Sequence, residues 1–138
     1  MAADRTLSVS IVTPRETAFE GKALAVSVPG SHSPFQVLYN HAPIISSLDI
    51  GVVIIEDDNN NVSYYAAREG FIEVLKNNVN IVVQELLPAT QINAEDAEAD
   101  LASARESDNG DRARREQARM DIYWAEARMR ASRLHHEA

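Results

Sequence analysis

The stretch NVNIVVQELLPATQINAEDAEADLASA, Asn78–Ala104, changes its period partway along. Before Pro88, VNIVVQE carries apolar residues on both faces of a strand, so it lies centrally in a sheet or under a cover. After Pro88 the pattern is helical. Asn93 stands at a cap position, and acids follow at 95, 96 and 98, where the positive end of a helix favours them. Ala94, Ala97, Leu101 and Ala104 then recur at three and four residues, which is one helix face. The switch divides the chain into two expected parts, residues 1–88 and residues 89–138.

Upstream of the switch, period two dominates. Leu7, Val9 and Ile11 alternate with Ser8, Ser10 and Val12, and Leu24, Val26 and Val28 alternate with smaller residues. GVVIIE, like VNIVVQE, is apolar on both faces. The clusters TPRE, PGSHSP, EDDNNN and KNNVN supply turns between these runs. GVVIIEDDNNNVSYYAA and GFIEVLKNNVNIVVQE are each expected to form a hairpin. Short antiparallel strands at this spacing predict a β-sandwich or flattened barrel.

Downstream, SDNG breaks the helical pattern, with Gly110 suited to a left-handed cap. A second helix is expected from about Asp111 to Leu134, with the stripe Ala113, Met120, Trp124, Ala127, Ala131 and Leu134. The expected class is therefore α+β: an N-terminal antiparallel β-sandwich followed by an antiparallel two-helix hairpin. The hairpin stripes are rich in alanine, whose burial contributes little at about 25 cal/mol per Å² of apolar area. Weak docking and two accessible arrangements follow from that reading.

Charge is sorted along the chain. Residues 89–110 hold six acids and one arginine, whereas residues 111–138 hold seven arginines and five acids. A formal net charge of −8 argues against a general nucleic-acid binder, which needs a basic face for phosphates. The absence of cysteine excludes disulfides, thiolate zinc sites and cysteine nucleophiles. No apolar run approaches the roughly 20 residues that span a bilayer, and MAADRTLSVS has neither a signal-peptide core nor a transit-peptide pattern. The expected setting is soluble and cytosolic, or peripheral to a membrane complex.

Catalytic motifs are sparse. The sequence holds no G-x-S-x-G, phosphate loop or H-E-x-x-H. His32 and His41 lie nine residues apart without a supporting carboxylate motif, so no metal site is assigned. Asp49 before Gly51 reads as a turn acid. His41, Ala42 and Pro43 read as a corner: Pro43 fixes its own φ and pushes Ala42 to extended geometry, which aims the following apolar run.

IVTPRETAFEGKALAVSVPGSHSPFQVLYNHAPIISSLDIGVV resembles the β domain of the epsilon subunit of F-type ATP synthases. The shared pattern runs I-V-T-P, F-x-G, V-P-G and H-A-P before a glycine-led strand, and GFIEV with NNVNIVV matches its last hairpin. The acidic first helix and Arg-rich second helix match the family's C-terminal hairpin in place and length. NHAPIISSLDIG is most similar to the chloroplast and cyanobacterial form. Departures are Tyr39 where proline is usual, SHSPFQ in place of a glycine- and acid-containing loop, and AAREGF in place of SGGF.

The resemblance implies a non-catalytic rotor subunit in the central stalk, joining the gamma subunit and the c-ring on the cytoplasmic side of an energy-transducing membrane. It implies gamma and c-ring contacts at Ser31, His32, Ser33, His41 and Pro43. It implies that Arg112, Arg114, Arg115 and Arg119 meet an acidic segment of the catalytic beta subunit and restrain ATP hydrolysis. No cofactor is implied. Some relatives bind ATP through I/L-D-x-x-R-A at the start of the first helix. Here INAEDA, Ile92–Ala97, places Asn93 at the aspartate and Asp96 at the arginine, which removes the forked cation for phosphate. Two rival readings are a free-standing β-sandwich binding module with a helical tail, and a small hydrolase or isomerase using His41 and Asp49.

Overall fold

The computed structural model describes residues 5–138. Nine strands precede the helices: β1 (Leu7–Val12), β2 (Thr17–Val28), β3 (Phe35–Leu38), β4 (Ile44–Leu48), β5 (Gly51–Asp57), β6 (Val62–Ala67), β7 (Gly70–Leu75), β8 (Asn78–Val83) and β9 (Leu86–Pro88). A 3-10 turn, Ala89–Gln91, leads to α1 (Ala94–Glu106) and α2 (Arg112–Glu137).

The strand order is β4-β7-β8-β1-β2-β5-β6-β9, with β3 also on β2. Both expected hairpins form: β5 pairs with β6, and β7 pairs with β8, antiparallel in each case. The pairing of β1 with β8 is parallel, the one exception among the described ladders. Strand β2 turns the sheet into a sandwich. Its first half pairs with β1 and its second half with β5 and β3, and the register shifts between Ala23 and Ala25. Such a bulge adds twist and lets one strand serve two layers.

The core between the layers is aliphatic and largely β-branched. Leu7, Val9, Ile11, Val26, Val28, Val53, Ile55, Ile72, Val74, Val79, Ile81 and Val83 are all buried there. Strand β8 meets the first of the two expectations for VNIVVQE, a central place in the sheet. Its burial alternates strictly, with Val79, Ile81 and Val83 inside and Val82 outside at 37% exposure. VNIVVQE is thus central in the sheet with one open face. GVVIIE is covered on both: Val53 and Ile55 face the sandwich core, while Val52 packs under the helices.

The helices start as their caps dictate. Asn93 Oδ1 accepts from the Asp96 N–H at 3.1 Å, and Asp111 Oδ1 accepts from the Arg114 N–H at 2.9 Å. Gly110 between them has φ +83°, the left-handed region that favours glycine. Helix α2 lies on β5 and β6, with Trp124, Ala127 and Ala131 buried against Val52, Ala66 and Ala89. It has a second buried face that the sequence reading missed. Ala118, Ala125 and Ser132, seven residues apart, are also buried, and α1, which packs on α2, buries Ala97, Leu101 and Ala104. Ala94 and Ala113, expected in the stripes, are exposed. Both stand in the first turn of their helices, beyond the packed segment.

Candidate functional site

Two loops and one corner meet around Phe35. Gly30 forms a bridge to Leu48, and the Ser31 N–H donates to the Ser47 carbonyl at 3.0 Å. The loop is tight: a Cβ on Gly30 would lie 2.5 Å from the Ser33 carbonyl oxygen and 2.9 Å from the Phe35 ring. The same ring neighbours that of His41, 6.3 Å between centroids and tilted by 31°. Phe35 therefore gathers Ser31–Ser33 and the His41–Pro43 corner into one region, although they are some ten residues apart in sequence. Ser31, His32, Ser33 and Pro43 are exposed, and His41 is half-buried.

The corner is held by two asparagines that sequence reasoning did not single out. Asn40 and Asn77 both adopt left-handed backbone, with φ 63° and 64°, a region asparagine tolerates better than most residues. The Asn40 N–H donates to Asn77 Oδ1 at 2.6 Å, and Asn77 Nδ2 donates to Asn40 Oδ1 at 3.3 Å. The Asn77 carbonyl in turn accepts from the Ser8 N–H at 2.9 Å. This clasp fixes the corner to the β7–β8 turn and to β1. The turn-rich YNH and KNN sequences are the signal that could have found it.

His41 and Asp49 each have their own hydrogen-bond partner. Ring atom Nδ1 of His41 lies 2.7 Å from the Ala42 carbonyl, and Asp49 Oδ1 accepts the Ser31 hydroxyl at 3.0 Å. Asp49 is the turn acid expected from its place before Gly51, with its N–H bonded to the Pro29 carbonyl at 2.9 Å. Among the described residues no group of three or more His, Asp or Glu could hold a metal ion.

Beside the corner lies an apolar face that the sequence did not reveal as open. On the outer side of β1, β8 and β7, Val12 neighbours Val82 and Val82 neighbours Phe71 across the strands. All three are exposed, as are Ile45, Leu75, Leu38 and Tyr39 near the corner, with Ile45 reaching 74%. A cleft of about 360 Å³ runs between Pro43, Ile45 and Leu75. Contiguous exposed apolar surface of this kind marks an interaction site.

The arginines occupy a different place. Residues 111–117 of the α2 start are all exposed. Arg112 pairs with Glu116 at 2.9 Å, but the side chains are 92% and 60% exposed, so that pair contributes about 0–1 kcal/mol. Arg114, Arg115 and Arg119 make no ion pair among the described residues. In the INAEDA stretch, Asn93 is engaged as the cap, and Glu95 and Asp96 lie exposed in the first turn. The arrangement offers surfaces for partners.

Residues 6–89 match the family model described as the ATP synthase, Delta/Epsilon chain, beta-sandwich domain. An ATP synthase epsilon chain from Salinibacter ruber is 37% identical over 101 residues, covering 67% of this chain and 68% of the relative. A chloroplastic ATP synthase epsilon chain from Stigeoclonium helveticum is 38% identical over 101 residues, covering 73% and 74%. In fold, the chain is similar to one in the Euglena gracilis mitochondrial ATP synthase, with a TM-score of 0.83 at 21% identity over 89% of this chain and 79% of that one.

Proposed function

Because the chain belongs to the ATP synthase delta/epsilon family, we propose that it works as the epsilon subunit of an F-type ATP synthase. Its task is to transmit torque in the central stalk and to restrain ATP hydrolysis, without supplying a catalytic group. The complex places it peripherally, on the cytoplasmic side of the energy-transducing membrane. The β part, residues 1–88, makes the static contacts. Ser31, His32, Ser33, His41 and Pro43 meet the gamma subunit and the c-ring, and the Val12–Val82–Phe71 row extends the same surface. The helical part, residues 89–138, carries the restraint.

The observation that carries this reading is the separation of the two surfaces. The clasped corner and apolar face sit on the sheet, while the arginines project from the exposed start of α2. Arg114, Arg115 and Arg119, with Arg112 through exchange of its exposed Glu116 pair, meet an acidic segment of the catalytic beta subunit. Acidic residues at the α1 start oppose phosphate, since like charges at about 4 Å repel by roughly 1 kcal/mol even in water. Nucleotide therefore does not set the hairpin position.

The test replaces Arg112, Arg114, Arg115 and Arg119 together with alanine in a reconstituted complex. Assembly should be unchanged and ATP hydrolysis should rise, and salt should reproduce part of the rise in the parent complex by screening the same charges. Unchanged hydrolysis with normal assembly would contradict the restraint.

A further inference from the structure

A single line of contacts runs from the sheet through both helices. Arg68 lies between β6 and β7, where its Nε meets Glu85 Oε1 at 3.2 Å and its backbone N–H donates to the Glu85 carbonyl at 2.9 Å. Its guanidinium stacks over the Trp124 ring, 4.7 Å from the centroid. Arg128, one turn further along α2, sits 5.6 Å from the same ring and donates from Nε to the Trp124 carbonyl at 3.3 Å. Its Nη1 then reaches Asp100 Oδ2 on α1 at 3.0 Å. The order in space is Glu85, Arg68, Trp124, Arg128, Asp100.

This line stands out because the rest of the helix–sheet contact is slight. Trp124 is the chain's one tryptophan and is 7% exposed, while its fully buried neighbours on that face are chiefly Ala66, Ala89, Ala127 and Ala131. The guanidinium of Arg128 is largely enclosed, with a side-chain exposure of 15%, against 27% for Arg68. Cation–π attraction strengthens when the cation is desolvated, and arginine stacks flat where lysine cannot. Helix α1 packs mainly on α2, so the sheet holds α1 at second hand.

We propose that this line is a latch with two separable joints. The first joint, Arg68 on Trp124, holds α2 to the sheet. The second, Arg128 with Asp100, holds α1 to α2. Losing the first lets the whole hairpin leave the sheet. Losing the second frees α1 while α2 stays docked. The hairpin is thus held by the chain's own cations.

The proposal rests on the reading above in one respect, that the hairpin's release matters to the complex. The latch itself is tested on the isolated full chain by hydrogen exchange and Trp124 emission. Arg68→Met keeps the apolar stem and removes the charge. It should speed exchange in α1 and α2 together by about ten-fold and shift the emission to the red. Asp100→Asn should speed exchange in α1 alone and leave the emission in place. Slow exchange in β1 and β8 serves as the check on folding. If Arg68→Met disturbs those strands, Trp124→Leu breaks the same joint from the helix side, with exchange as the readout. Unaltered helix exchange in both Arg68→Met and Trp124→Leu overturns the first joint. Release of α2 by Asp100→Asn overturns the separation. Faster helix exchange with unchanged ATP hydrolysis in the complex would support the latch and contradict the proposed restraint.

Discussion

Two apolar interfaces of the chain differ in make: the one between the sheet layers and the one between the sheet and α2. Between the sheet layers, Leu, Ile and Val from seven strands interlock, and alanine is a minority. Between the sheet and α2, alanine is the majority and Trp124 is the one large buried side chain. Area burial scales with side-chain size at about 25 cal/mol per Å². The first interface is therefore distributed over many residues, whereas the second depends on few. A fold built this way can change the position of its helices and keep its sheet.

The strongest test of the contrast is in the sandwich. Ile81→Ala should cost about 4 kcal/mol, within the range for large-to-small core changes. Sheet and hairpin should then melt together in urea followed by circular dichroism. Trp124→Ala should cost about 3 kcal/mol, but only in the helices, with sheet exchange unaltered. A single cooperative loss of sheet and helix in Trp124→Ala would erase the distinction.

A smaller effect is expected at the corner. Asn77→Gly keeps the left-handed backbone and removes the side chain that clasps Asn40. It should cost about 1 kcal/mol, the worth of a typical hydrogen bond, and weaken binding to gamma without moving the sandwich transition by more than that. Equal binding would show that the corner is fixed by the Phe35 packing alone.

The smallest effect is electrostatic. The carboxyl of Asp57, at the β5–β6 turn, is held below its ordinary 3.8 by the backbone N–H groups of Asn61 and Asn59. A lowered folded pKa contributes stability above 3.8 that is lost as the pH falls through the folded value. Asp57→Asn should flatten the acid limb of the stability profile by removing a small contribution that is present at neutral pH. An unaltered acid limb would remove Asp57 from the account.

The alternation at Leu7, Val9 and Ile11 made β1 legible, and the Asn93 cap made the start of α1 legible. Both signals are local. The parallel pairing of β1 with β8 was not legible, because partners 70 residues apart leave no mark in either strand. The open face at Val82 and Phe71 was not legible for a physical reason: an apolar residue on an exposed sheet face looks the same in sequence as one in the core. Ala118, Ala125 and Ser132 were hidden because small residues do not stand out in an alanine-rich helix. The residues expected to make contacts are brought near one another by Phe35, and the Asn40–Asn77 clasp links positions 37 residues apart.

The claim on which the rest depends is that the two parts of the chain have separate work. A chain ending at Pro88, added to a complex lacking this subunit, tests it directly. The account predicts that the shortened chain stays folded by circular dichroism, binds gamma, and leaves ATP hydrolysis faster than the full chain does. An unfolded or unbound fragment, or hydrolysis restrained as strongly as by the full chain, would contradict it.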